Sequence, residues 1–187
     1  MSLSKQLLFL ISALFLIIFS LNFALSVNNI KGYLEGEAKI HAQDTATSLG
    51  LSLSSYMVNE TDPVIETTMN ALFDMGYYQE IKLVNVERKA LVTLTNKAEL
   101  EGVPTWFIAL LPMQTAAAES EISGGWSIAG VVSVTLNPGY AYLKLYEQVV
   151  SSFYYSLIAL LLSIALLLLV LRITFAPLTK INLMALE

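Results

Sequence analysis

Two stretches, residues 7–25 and 153–171, each run 19 residues without an Asp, Glu, Lys or Arg, and they constrain this chain more than anything else in it. A helix rises about 1.5 Å per residue, so each stretch is about the length that crosses roughly 30 Å of hydrocarbon. They also explain the composition. Of 187 residues 56% are apolar and the mean hydropathy is +0.65, more than an ordinary soluble domain carries. The second stretch opens on Phe153-Tyr154-Tyr155 and is followed by Arg172, and aromatic rings and cations favour the membrane interfaces. The first reads as an uncut anchor. A cleaved signal peptide is the alternative, since Lys5 precedes the run and Ala24-Leu25-Ser26 loosely resembles a cleavage site. The apolar core of a signal peptide usually spans about 7 to 15 residues, however, and this run is longer and continues into a helical pattern.

Charge sets the expected orientation. Lys5, Arg172 and Lys180 flank the two stretches on one side, whereas residues 28–150 hold seven basic and fourteen acidic residues, a net of −7. Cytoplasmic flanks retain Lys and Arg, so residues 28–150 are expected beyond the membrane and both termini in the cytoplasm. The expected organisation is a cytoplasmic N-terminus and first span over 1–27, a translocated domain over 28–150, a second span over 151–172 and a cytoplasmic segment over 173–187. Without cysteine there is no disulfide, and the domain rests on its apolar core. At about 120 residues it is long enough to have one.

Within that domain Ile30, Leu34, Ala38, His41, Thr45, Leu49, Leu53 and Met57 recur at spacings of three and four, one stripe of a helix that continues the first span. Asn59-Glu60-Thr61 is a turn. Asp62-Pro63 then opens a second helix, with Asp as N-cap and Pro at N1; Val64, Ile65, Met69, Leu72 and Phe73 form its inner face, and Gly76 closes it. Residues 77–86 and 90–95 read as strands joined by a hairpin turn at Glu87-Arg88-Lys89. Residues 105–112 suit a short helix ending near Pro112, and residues 114–120 a small, Ala-rich loop. Residues 121–136 hold two strands interrupted by Gly124-Gly125. Asn137-Pro138-Gly139 is a turn signal, and residues 140–176, free of Gly and Pro, can form one exit helix through the membrane. Pro177-Leu178 starts a new amphipathic helix, and Leu186-Glu187 read either as native sequence or as an appended scar. The fold class is therefore α+β with an antiparallel sheet, flanked by membrane helices continuous with its first and last helices, and by analogy this order is that of the PAS-like sensor domains set between two membrane helices.

Several chemistries lack their residues. One histidine and no cysteine cannot build a metal cluster, and His41, mid-stripe, reads as a packed or interfacial residue. Gly125-Trp126-Ser127-Ile128-Ala129 superficially resembles a nucleophile elbow, but that motif needs a strand before and a helix after; here a strand follows. No phosphate-binding loop precedes a helix, and a net-acidic domain suits nucleic acid poorly. The acids lack the alternation of an EF-hand and read as a solvated face. Asn59-Glu60-Thr61 is formally a glycosylation sequon, read as chance. No catalytic residue, metal ligand or cofactor site is expected.

The candidate site is Gly124, Gly125 and Trp126. A tryptophan beside flexible glycines, between strands, is the composition of a partner-binding hot spot. Alternation also places Trp126 on one face with Ile128, Val132, Val134 and Leu136, pointing it into the core, and a bulge at Gly130 would reverse that parity. Composition and spacing leave the two readings even.

Several motifs in order, MSLSKQLL, HAQDTATSLGLSLS, ALFDMGYYQEIKLV, EGVPTWFIALLP, SGGWSIAGVVSV and NPGYAYLKLYEQ, cover most of the chain and resemble the N-terminal half of the LapD-type cyclic-di-GMP receptors. The resemblance implies a PAS-like periplasmic output domain in the inner membrane that pairs as a homodimer with exchanged elements. It is followed in that family by a HAMP relay and degenerate cyclase and phosphodiesterase domains. With cyclic-di-GMP bound inside, the output domain captures LapG, a calcium-dependent periplasmic cysteine protease, which protects a surface adhesin and favours biofilm. Gly125-Trp126 matches the family's G-W motif, whose tryptophan enters the protease, and Pro177-Leu178 resembles a HAMP start. No residue present can be assigned to cyclic-di-GMP. A rival reading is the ligand-sensing input domain of a histidine kinase or an active diguanylate cyclase or phosphodiesterase, which calls for an enclosed pocket and a buried Trp126. A third is a dimerisation spacer.

Overall fold

The first charge-free stretch and the helical stripe behind it fold as one element. In the computed structural model, which describes residues 3–97, 100 and 102–184, helix α1 spans Leu3–Ser54 without interruption. From residue 30 onward its buried side chains are Leu34, Ala42, Ala46, Leu49 and Leu53, with Met57 just beyond its end. The stripe expected from spacing passed through Ala38, His41 and Thr45 instead. Ala38 and Thr45 are half-buried and His41 is exposed. Neighbouring helix positions are only about 100° apart, so both readings fit the same side of the helix. Burial goes to Ala42 and Ala46, which have no polar atom to desolvate.

Helix α2 spans Pro63–Phe73, and the Asp62 carboxylate caps it by accepting from the Val64 N–H at 2.9 Å. Ile65 and Met69 are fully buried, and Leu72 and Phe73 pack partly against the core. Val64, expected inside, is exposed, because the inner face follows 65, 69 and 72, one step around the helix. Gly76 takes a φ of +80° where the chain leaves the helix.

The sheet comprises β1 (Tyr78–Asn85), β2 (Ala90–Thr95), β3 (Ala117–Ser123) and β4 (Ile128–Leu136), with the short helix α3 (Thr105–Leu110) between β2 and β3. All neighbours are antiparallel and the order is β2-β1-β4-β3. Ile81 pairs with Val134 and Leu83 with Val132. These four, with Ile122, turn one sheet face onto Leu53, Met57, Ile65 and Met69 to make the core. Arg88, at a φ of +61°, turns the β1–β2 hairpin where Glu87-Arg88-Lys89 was expected to.

Three boundaries differ from the sequence reading. Four of the seven residues of the expected loop 114–120 are strand, since β3 starts at Ala117; Ala117 and Ala118 gain partners on β4, and pairing outweighs a weak intrinsic preference. Helix α4 spans Pro138–Met184, beginning two residues before the expected start. The Asn137 Oδ1 accepts from the Gly139 N–H at 3.0 Å, so Asn137-Pro138 starts a helix as Asp62-Pro63 does. The same helix continues through Pro177, where a new one was expected. Leu186 and Glu187 lie outside the described residues.

The chain forms two units, one of residues 30–147 and one of residues 1–29 with 148–187. In the second, Phe23 and Phe153 meet edge to face at 5.7 Å, and the hydroxyls of Ser26 and Ser152 are 3.4 Å apart. The apolar ends of α1 and α4 are long enough to span a membrane. Their side chains, such as Phe9, Leu16, Leu21, Leu162 and Leu166, are exposed along the helices, as lipid-facing residues are.

Candidate functional site

Strands β3 and β4 end in a four-residue loop, 124–127, between the paired residues Ser123 and Ile128. The Gly124 N–H donates to the Ser127 carbonyl at 2.7 Å, closing the turn, and the Ser123 hydroxyl donates to the Gly125 carbonyl at 3.3 Å. Gly125 sits at a φ of +94°, a conformation that a side chain makes costly. Gly124 serves a different purpose: a Cβ there would stand 3.0 Å from the Ala129 Cβ and 3.4 Å from the Ser127 carbonyl. The glycines therefore shape the turn rather than merely loosen it.

That turn holds Trp126 with a relative exposure of 106%. Its indole reaches into solvent from the tip of the hairpin. The parity left open by the sequence is resolved by an irregularity: Ile122 pairs with Gly130 while Ser123 pairs with Ile128, so Ala129 is an extra residue on β4. Ile128, one strand period from a buried position, is consequently 49% exposed. A bulge breaks the alternation in this way, here one residue ahead of the anticipated Gly130.

Register shows what else lies at this end of the sheet. Asn85 pairs with Gly130, and the Asn85 side chain donates to the Glu60 carboxylate at 3.3 Å and accepts from the Lys89 N–H at 3.0 Å. The loop after α1 and the β1–β2 turn are thus tied beside the base of the Trp126 hairpin. Each offers an exposed apolar side chain, Val58 and Val86 respectively. The sequence placed Ile128 on the strand face of the core valines and did not mark Val58 or Val86 as site residues; for Val86, an apolar residue between Asn85 and Glu87 was the available signal.

His41 is remote from this loop. It lines a cavity of about 280 Å³ with Leu34, Glu37, Tyr77, Met113 and Tyr140. Among the described residues no three His, Cys, Asp or Glu side chains gather as metal ligands would.

A family model for the LapD/MoxY periplasmic domain matches residues 23–146, from within the first charge-free stretch to the ninth residue of α4. The chain belongs to the LapD/MoxY periplasmic domain family. Like other members it thus carries a periplasmic signalling domain, set here between two apolar helices. Of solved structures, that of the Pseudomonas fluorescence LapD periplasmic domain is 28% identical, with 67% of this chain and 98% of that one covered and a TM-score of 0.38. No curated protein matches.

Proposed function

We propose that this member of the LapD/MoxY family is an inner-membrane receptor segment whose periplasmic domain captures a LapG-type cysteine protease and has no catalysis of its own. Capture is controlled from the cytoplasm by cyclic-di-GMP, bound outside the residues present, and it protects a surface adhesin. The working unit is a homodimer with exchanged elements, both termini are cytoplasmic, and residues 173–187 lead into a HAMP-like relay.

The observation that carries this reading is the complete exposure of Trp126 on a turn built to present it. A large apolar ring left in water costs free energy that a partner recovers, and an anchor aromatic surrounded by weaker contacts is the usual anatomy of a hot spot. Gly125 and Gly124 fix the presentation, and Trp126 makes the contact. The reading is tested by incubating the full chain, in nanodiscs, with a LapG-type protease in the presence and absence of calcium. Stoichiometric co-elution supports it, and failure to co-elute in both conditions overturns it.

The ligand-sensing alternative calls for a pocket and a buried Trp126. The space beside His41 is a cleft partly open to solvent and Trp126 is exposed, whereas that reading asks for an enclosed pocket and a buried Trp126.

A further inference from the structure

The domain's other tryptophan points to a second surface. On α3, Trp106 is 63% and Leu110 is 69% exposed, and side chains four apart lie on the same side of a helix. Their helix is firmly seated. Phe107 between them is buried, with its ring 5.1 Å from that of Tyr146 and nearly perpendicular to it. The Met113 N–H donates to the Tyr142 hydroxyl at 2.8 Å, and a Cβ on Gly102 would stand 3.4 Å from Leu143. Both flanks of α3 are therefore clamped to one stretch of α4, and Trp106 and Leu110 face outward because of it.

Two independent features say what they face. Residues 103–118 contain no charged side chain, in a domain whose net charge is otherwise strongly negative. An exposed tryptophan and leucine on one side of a helix in such a stretch mark an interaction surface. Moreover Tyr146, against which α3 packs, precedes Phe153, the first residue of the second charge-free stretch, by seven residues. Seven helical residues rise about 10 Å, and no bend in the helix can lengthen that. The headgroup layer adds roughly 5 to 8 Å on each side of the hydrocarbon, and tryptophan is the side chain most at home there. Phe153, Tyr154 and Tyr155, all exposed, already supply aromatic rings at the entrance of the span.

We propose that α3 is a lipid foot of the periplasmic domain, with Trp106 and Leu110 resting in the headgroup layer of the outer leaflet. Because α3 and its flanks carry no charge, their contact is made by partition of apolar and indole surface, and not by attraction to anionic lipid.

Fluorescence tests this directly, because the chain has two tryptophans. The full chain carrying Trp126→Phe reports Trp106 alone, and the Trp106→Phe chain reports Trp126, which stands beyond the strand end opposite α4. Both are placed in phosphatidylethanolamine–phosphatidylglycerol vesicles with and without lipid bearing a nitroxide on its headgroup. Trp106 emission is expected to be blue-shifted and quenched by the headgroup nitroxide, as for an indole at the membrane interface, with Trp126 emission unchanged. Red, unquenched Trp106 emission overturns the proposal. Blue but unquenched emission also overturns it, since a second copy of the chain and not lipid would then cover α3. Should Trp126→Phe fail to fold, the wild-type signal less that of Trp106→Phe gives the same reading.

Discussion

Gly130 lies against the main-chain carbonyl of Val84 so closely that a Cβ on Gly130 would overlap that oxygen, and the Met57 Cε stands 3.0 Å away on another side. The obstacle is backbone, so no side-chain rotation relieves it. This is the point where β1, β4 and the end of α1 converge, at the base of the hairpin that holds Trp126.

Gly130→Ala should therefore destabilise the periplasmic domain by about 1–3 kcal/mol, the usual cost of overpacking a tight site. A chemical-denaturation series on the full chain in detergent, compared with wild type, checks it. An unchanged midpoint would mean that the strands separate easily at this position, contrary to the register Asn85↔Gly130.

Gly125→Ala should act differently. A Cβ there meets nothing within 4 Å, but the φ of +94° disfavours any L side chain, at about 1–2 kcal/mol. The loop can escape that strain by changing shape, which re-aims Trp126. Protease affinity should fall roughly tenfold, equivalent to about 1.4 kcal/mol, while the unfolding midpoint moves little. Titration of both variants against the protease separates loop shape from domain stability.

Asn85 is buried, and its side chain joins the β1–β2 turn to Glu60. Asn85→Ala leaves the Lys89 N–H without that acceptor and should cost about 1–3 kcal/mol. The expected signature is faster amide exchange at Arg88 and Lys89. Unaltered exchange there would show that the turn holds without Asn85.

The sequence was most readable where one residue type has one physical use. Asp62-Pro63 was legible as a helix start, and so was the end of the stripe at Leu49, Leu53 and Met57. Asn137-Pro138 carries the same signal as Asp62-Pro63 but is followed by Gly139, and the glycine made a turn the stronger reading. The Ala-rich start of β3 was unreadable because it is a strand by virtue of pairing with β4, and no local propensity records that. For Trp126 the obstacle was parity: one extra residue, Ala129, separates an exposed Ile128 from the buried Val132 and Val134, and an irregularity of register leaves almost no local trace. Gly124 and Gly125 were legible as flexibility, although of the two only Gly125 needs the unusual φ. Exposure of Val58, Val86 and Trp106 depends on what packs nearby and could be seen only in the fold.

The central claim is that Trp126 is the anchor by which this domain holds its protease. It is tested most directly by titrating the wild-type chain and Trp126→Ala with a LapG-type protease in calcium, with the unfolding midpoints measured alongside. The account predicts a loss of at least about 2 kcal/mol, roughly a thirtyfold rise in Kd, with the midpoint unchanged because the indole contributes nothing to the core. An unchanged Kd would contradict it.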